Sequence, residues 1–242
     1  RAGEILRAGF RRPSLGVTTK ADGTPVSTAD RDAEVAIREV LAAATPGYGI
    51  LGEELGAEGS EHARWVIDPI DGTKSFIQGL PFSATLLALE VDREPLLGVV
   101  HAPLLGPGMP FVGPPARAEQ QGPGLTWWAV SGQGAFAGTG TDPVAPWRPL
   151  SVSAKRSLEG ASVLHGELAD FRRGGLWPAL GRIVDAGAWT RGLGDWWGHV
   201  LVAEGLADAM VEARVALHDV AALEILVEEA GGAFYLDGPL RE

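Results

Sequence analysis

One stretch, Trp65-Val66-Ile67-Asp68-Pro69-Ile70-Asp71-Gly72-Thr73-Lys74, constrains this chain more than any other. Its three leading apolar residues read as a short buried strand ending at Asp68, because Pro69 has no N–H to give to a ladder. Asp71 follows three residues later, so a tight turn there aims both carboxylates into one space. Gly72 lets a ligand approach the backbone, and Thr73-Lys74 opens a helix with free N–H groups. Two hard anionic ligands beside such groups suit a divalent cation and a phosphate together. A strand followed by an Asp-Pro turn also accounts for the two aspartates taken alone; the whole string is more specific.

The 242 residues suffice for one large domain or two small ones with a sizeable core. A net charge of −11 argues against nucleic acid or an anionic membrane as partner. An acidic chain that handles an anionic substrate needs local positive charge, which metal ions supply. There are no cysteines, which excludes disulfides and thiolate metal sites and makes a cytoplasmic location the expectation. No apolar run approaches a membrane span. The chain opens partway through a helix, so its natural start is expected upstream.

Ile5, Leu6 and Phe10 recur at helical spacing between Arg1 and Arg12, with Pro13 as the stop. Lys20 to Pro25 is turn chemistry centred on Asp22-Gly23. Thr28 or Asp30 then caps a helix running to about Ala44, with Val35, Ile37, Val40 and Leu41 on its buried side. Tyr48 to Leu51 predicts a strand, and the carboxylates of Gly52-Glu53-Glu54 beyond it are either turn residues or ligands. Phe82 to Val91 and Leu96 to Ala102 predict paired strands joined at Asp92-Arg93-Glu94. The Gly- and Pro-rich run from Leu105 to Leu125 predicts an exposed loop.

Trp127 to Phe136 resumes strand character, and Asp142 to Pro149 is a turn or a hinge to a second unit. Leu150 to Ser153 and Ala161 to Leu164 are strand candidates, and Leu176 to Val184 predicts a helix with Pro178 in its first turn. Gly192-Leu193-Gly194-Asp195-Trp196-Trp197 leads into a helix ending near Glu204. Ala207 to Val211 predicts a strand with Glu212 just after it. Asp219 opens a helix with Val220, Leu223, Leu226, Val227 and Ala230 on one face, closed by Gly231-Gly232. At that position Asp219 also reads simply as a cap.

Taken together, Thr24-Pro25-Val26-Ser27-Thr28-Ala29-Asp30, Gly52-Glu53-Glu54, Asp68 to Thr73, and Asp219 with Ala221-Ala222 and Glu229-Ala230-Gly231-Gly232 resemble one family. It is the inositol monophosphatase-like superfamily of metal-dependent phosphatases, matched in motif order over nearly the whole chain. Thr190-Arg191-Gly192-Leu193-Gly194-Asp195-Trp196-Trp197 and Leu201-Val202-Ala203-Glu204-Gly205 look most like its histidinol-phosphatase branch. Three departures stand out. His218 replaces the usual Trp, the 105–125 run is longer and richer in Gly and Pro, and the chain stops at Glu242 before the segment that completes the family's second sheet.

The resemblance implies a mixed α/β fold, a layered αβαβα sandwich. Residues 1–149 would hold a mostly antiparallel sheet with the metal motifs, and 150–242 a smaller α/β unit with the specificity residues and last metal aspartate. It implies Glu53, Asp68, Asp71, Asp219 and the Ile70 carbonyl as ligands of two or three Mg²⁺ ions, which prefer oxygen and keep waters. Thr73 would orient the attacking water with Asp30 behind it, Glu53 would be the base, and the Gly72 and Thr73 N–H groups would hold phosphate. Asp30 reads equally as a helix cap. Asp71, Asp219, Asp195 and Glu212 would face the substrate, and Arg191 would either anchor Asp195 or touch phosphate. Trp196 and Trp197 read as core or as a stacking platform, and His218 as a substrate contact or a structural histidine.

The implied activity is hydrolysis of a phosphate monoester, foremost L-histidinol phosphate in histidine biosynthesis. A cationic amino-alcohol suits two carboxylates. The alternatives are an inositol, sugar or nucleoside monophosphate phosphatase, and, from another class, a non-catalytic binding protein that kept the fold. The implied partner is a small phosphate ester rather than nucleic acid or membrane, and homodimers are common in the family.

Overall fold

The structure, a computed structural model, describes residues 1–12, 14–21, 23–106 and 122–236. Pro13, Asp22 and residues 107–121 of the Gly- and Pro-rich run lie outside the described residues. In chain order the first elements are α1 (Ala2–Gly9), β1 (Thr18–Thr19), β2 (Pro25–Val26), α2 (Thr28–Ala44), β3 (Gly49–Gly52), β4 (Gly56–Glu58), β5 (Ala63–Asp71) and α3 (Thr73–Ile77). A meander follows: β6 (Ala84–Val91), β7 (Glu94–Ala102), β8 (Leu125–Val130), β9 (Gly134–Thr139) and β10 (Arg148–Pro149). The remainder is β11 (Ser162–His165), α4 (Leu168–Arg173), α5 (Trp177–Asp185), β12 (Trp189–Arg191), α6 (Asp195–Ala203), β13 (Ala209–Val211) and α7 (Leu217–Glu229).

Eight strands form the main sheet, ordered β10-β9-β8-β7-β6-β5-β3-β4 and antiparallel apart from the β3–β5 pair. Alternation on β5 sets its two faces. Val66 joins one core with Leu86, Val100, Trp127, Trp196 and the apolar residues of α7, while Ile67 joins another with Leu41 and Ile50. Each such fully buried aliphatic side chain contributes about 1.5–3 kcal/mol by leaving water. On the far side of α6 and α7, β12-β11-β13 form a small parallel sheet joined by helical crossovers. The layered αβαβα sandwich is therefore the fold.

The structure differs from the sequence expectations at several points. β5 does not stop at Pro69; it runs on to Asp71 through a register shift against β6 between Asp68 and Asp71. Pairing with β6 carries the strand past the missing N–H, and the Pro69 carbonyl accepts the Thr85 hydroxyl at 2.9 Å. The N-cap of α2 is Ser27, whose N–H and hydroxyl both donate to Asp30 Oδ2, at 2.8 and 2.6 Å. Its buried face carries Ala29, Asp30, Ala33, Glu34 and Leu41, whereas Val35 and Val40 are exposed.

Trp127 to Phe136 is a hairpin rather than one strand, Leu150 to Ser153 is irregular, and α4 is an added helix. α7 is buried around most of its circumference instead of along one stripe, with Glu228 left exposed, since it lies between the two sheets. Glu229 at its end accepts the Gly132 and Gly134 N–H groups, each at 2.7 Å, and so clamps the β8–β9 turn.

Candidate active site

The shift in β5 puts Asp68 and Asp71 on one side of the strand end, 2% and 9% exposed. Asp68 Oδ1 accepts the Ile70 N–H at 2.9 Å. Asp71 Oδ2 accepts the Trp196 N–H at 2.9 Å, a bond from the main sheet to the start of α6. Gly72 then turns the chain at φ 84°, and a Cβ there would lie 2.5 Å from the Phe82 carbonyl oxygen. Only glycine fits this corner. Thr73 Oγ1 lies 3.0 Å from Asp30 Oδ1 and 2.8 Å from the Ile70 carbonyl. Its single proton serves one of these acceptors at a time and leaves lone pairs for a water.

Glu53, just past β3, anchors its N–H on the Ile67 carbonyl at 3.1 Å. Its carboxylate meets Lys20 Nζ at 2.7 Å, and the same ammonium reaches Glu54 at 2.5 Å. Lys20 therefore brings the β1–β2 hairpin to the site. Asp219 sits in the first turn of α7 and accepts the Ala216 N–H at 2.6 Å, so it caps the helix while its charge reaches Asp68 and Asp71. His218 Nε2 stands between these acids, 3.4 Å from Asp219 Oδ1 and 3.9 Å from Glu53 Oε1.

The second half of the chain supplies two more carboxylates. Asp195 starts α6 at φ 56°, and its N–H donates to Glu212 Oε1 at 3.2 Å. Glu212 Oε2 lies 3.2 Å from His199 Nε2. Lys74 crosses to Glu167 at 2.5 Å near the same acids. Arg191 is not brought to Asp195: its guanidinium lies over the Trp189 ring at 4.1 Å and bonds the Thr190 carbonyl. Trp196 is fully buried against Trp127 and Trp197, which makes it core.

The electrostatics of this cluster are those of like charges held together out of water. Burial, followed by the charges of Glu53, Asp71 and Asp219, pushes the Asp68 carboxyl well above the usual range. Burial, then Asp195, Asp219 and Glu212, does the same to Asp71. Asp219 is raised by burial despite the opposing pull of His218 and the Ala216 N–H. Asp195 is raised to about 6 by burial and then by Glu212 and Asp219. Asp30 is raised by burial against its hydrogen bonds from Ser27 and Thr73. Burial pulls the Lys20 ammonium down, yet Glu53 and Glu54 outweigh it and the net shift is upward.

Such a set of oxygen donors, short of positive charge, fits hard divalent cations. Among the described residues no three side chains already close on one point as a ligand cage. Each carboxylate has taken a local donor instead: Lys20, or the N–H of Ile70, Trp196 or Ala216.

The model of the inositol monophosphatase family matches residues 1–236. The chain belongs to that family. It is thus a phosphoric monoester hydrolase, of a family that uses metal ions. The histidinol-phosphatase of Mycobacterium tuberculosis is 40% identical over 240 residues, covering 98% of this chain and 84% of that protein. The histidinol-phosphatase of Streptomyces coelicolor is 40% identical over 240 residues, covering 95% and 80%. Among solved structures, extragenic suppressor protein suhB of Bartonella henselae matches with a TM-score of 0.77 and 30% identity, over 96% of this chain and 81% of that one.

Within this family member, Glu53, Asp68, Asp71, Asp195, Glu212, Asp219, Thr73 and Asp30 lie in one cluster, linked by hydrogen bonds or by mutual charge. Sequence reasoning passed over Lys20 and His199. Each meets its carboxylate across a tertiary contact, so no local spacing marks it.

Proposed function

We propose that this phosphatase acts on L-histidinol phosphate with Mg²⁺ held by Glu53, Asp68, Asp71, Asp219 and the Ile70 carbonyl. The observation that carries the reading is the division of the carboxylate cluster. Four acids gather at the strand ends and α7, and two more, Asp195 and Glu212, extend it onto the second sheet. That outer pair offers a cationic amine two acceptors, and the named likeness to histidinol-phosphatases supports the same substrate. Residues 1–149 would then supply metal and phosphate chemistry, and residues 150–242 substrate choice together with Asp219.

When bound, Mg²⁺ would lower the pKa of a water and offset negative charge on the ester and its leaving oxygen. The residues do the rest. Thr73 donates its proton to Asp30 and accepts from the attacking water, with its own position fixed by the Gly72 corner. Glu53 is the acceptor for that water's proton. The Gly72 and Thr73 N–H groups, at the start of α3, would hold phosphate oxygens. Lys20, seated on Glu53 and Glu54, occupies the Glu53 carboxylate that would hold a cation and would have to release it for one to bind.

Phosphate release with Mg²⁺ from histidinol phosphate, an inositol monophosphate, a sugar phosphate and a nucleoside monophosphate tests the reading. The first is expected to lead in kcat/KM by about tenfold or more, a difference of roughly 1.4 kcal/mol in transition-state binding. A preference for the inositol ester would move the substrate within the family, a reading its other members support. Inertness toward every ester would leave a binding protein with a phosphatase fold.

A further inference from the structure

The buried face of α2 carries charge where a core-facing stripe is normally apolar: Asp30, Glu34 and Arg38 follow each other at four-residue intervals. Asp30 serves Thr73. Glu34 is 0% exposed, and a carboxylate so enclosed is costly unless its lone pairs are met. They are met by the turn that carries Glu53. Glu34 Oε2 accepts the Glu54 N–H at 2.7 Å, and Oε1 accepts the Leu55 N–H at 3.2 Å and Arg38 Nε at 2.8 Å. Arg38 continues to the Gly56 carbonyl at 2.5 Å and Glu58 at 3.1 Å.

The contact is closed from the other side as well. A Cβ on Gly52 would lie 1.9 Å from Glu34 Oε1 and 2.4 Å from its Cδ. Gly52 has no positive φ, so this glycine is required by the carboxylate and not by the backbone. Residues on both sides of Glu53 therefore rest on one buried side chain.

We propose that Glu34 is a positioning residue for Glu53, with Gly52 and Arg38 as its complement. One helix then fixes two separate parts of the site, the Thr73 hydroxyl through Asp30 and the Glu53 turn through Glu34. This inference rests on Glu53 being a metal ligand. Glu34→Gln keeps the shape but turns an N–H₂ toward groups that are all donors, so the turn must shift. Gly52→Ala pushes on the same carboxylate from the strand.

The test is Mn²⁺ binding to the whole chain by calorimetry, without substrate, beside circular dichroism and amide exchange at Glu54 and Leu55. Glu34→Gln and Gly52→Ala are each expected to bind Mn²⁺ roughly 10–100-fold more weakly, the usual cost of losing a partner behind a metal ligand. Their kcat falls more than KM rises, and the two amides exchange faster. Val40→Ala, exposed on the same helix, should match wild type. Either variant folding with wild-type Mn²⁺ affinity overturns the inference. Should one variant fail to fold, the other decides, and slow exchange at both amides surviving in it also overturns the staple. A wild-type chain that binds no Mn²⁺ defeats the metal reading itself, and the inference with it.

Discussion

Asp68 accepts the Ile70 N–H, shares a side-chain hydrogen bond with Glu53, and has the charges of Glu53, Asp71 and Asp219 around it. Asparagine keeps the shape and an oxygen for the Ile70 N–H, can donate its amide N–H to Glu53, and removes the charge. We expect Asp68→Asn to lower phosphate release by roughly 10²- to 10³-fold, the scale for deleting one preorganised electrostatic group. Its metal-free Tm should hold or rise, because a repelled charge has gone; full turnover in a folded variant would remove Asp68 from the site. Asp195 makes the complementary case through pH. Its folded pKa, about 6, lies above the ordinary value of 3.8, so the folded state holds the proton longer than the unfolded chain. Its contribution to stability is fully present below the unfolded value and is lost as pH rises through about 6. In metal-free protein, the Tm of Asp195→Asn should therefore match wild type near pH 4 and exceed it increasingly toward pH 6.5. A gap that shrinks with rising pH would contradict this assignment.

At the scale of elements, the site depends on the corner where β5 passes into α3. Gly72 combines φ 84° with a neighbouring carbonyl oxygen that leaves a Cβ only 2.5 Å, and that oxygen is backbone in β-sheet surroundings. Gly72→Ala should cost about 1–3 kcal/mol in stability. At roughly 2–4 °C of Tm per kcal/mol, thermal unfolding will register it. Activity should fall further than stability, since Thr73 would leave Asp30. The glycine was visible in the sequence, but the reason for it was not. Phe82 lies ten residues on, and only the β6 pairing brings its carbonyl there. The β6–β7 hairpin, the extent of α7 and the opening of α3 at Thr73 were legible because apolar periodicity and turn residues mark them locally. The run of β5 through Pro69 to Asp71, by contrast, needed its pairing with β6. α2 was legible in extent and misread in face. Asp30 and Glu34 are charged, so pattern reading assigns them to solvent and pulls Val35 and Val40 inward. Buried acids with distant partners defeat that rule, and they are the residues that shape the site.

For the whole molecule, the consequence is a cluster assembled from both sheets whose members repel one another. Glu53, Asp68 and Asp71 come from the main sheet, Asp219 from α7, and Asp195 and Glu212 from the small parallel sheet and its helix. The Asp71–Trp196 bond and the Lys74–Glu167 pair are direct ties across that junction. The exposed Lys74 pair contributes little, about 0–1 kcal/mol. Cations held among the acids would act on the same junction by offsetting their repulsion and by displacing the ammonium of Lys20 from Glu53. Stability should then follow metal occupancy. At a Mg²⁺ concentration a hundred times Kd the linkage contributes about 2.7 kcal/mol. For a chain of this length that is a Tm rise of roughly 5–11 °C. Differential scanning across a Mg²⁺ titration measures it, and Asp68→Asn should flatten the response while Val40→Ala leaves it intact. A wild-type Tm that stays fixed through millimolar Mg²⁺ would mean that the acids are balanced by hydrogen bonds alone, and the metal-dependent reading would have to be abandoned.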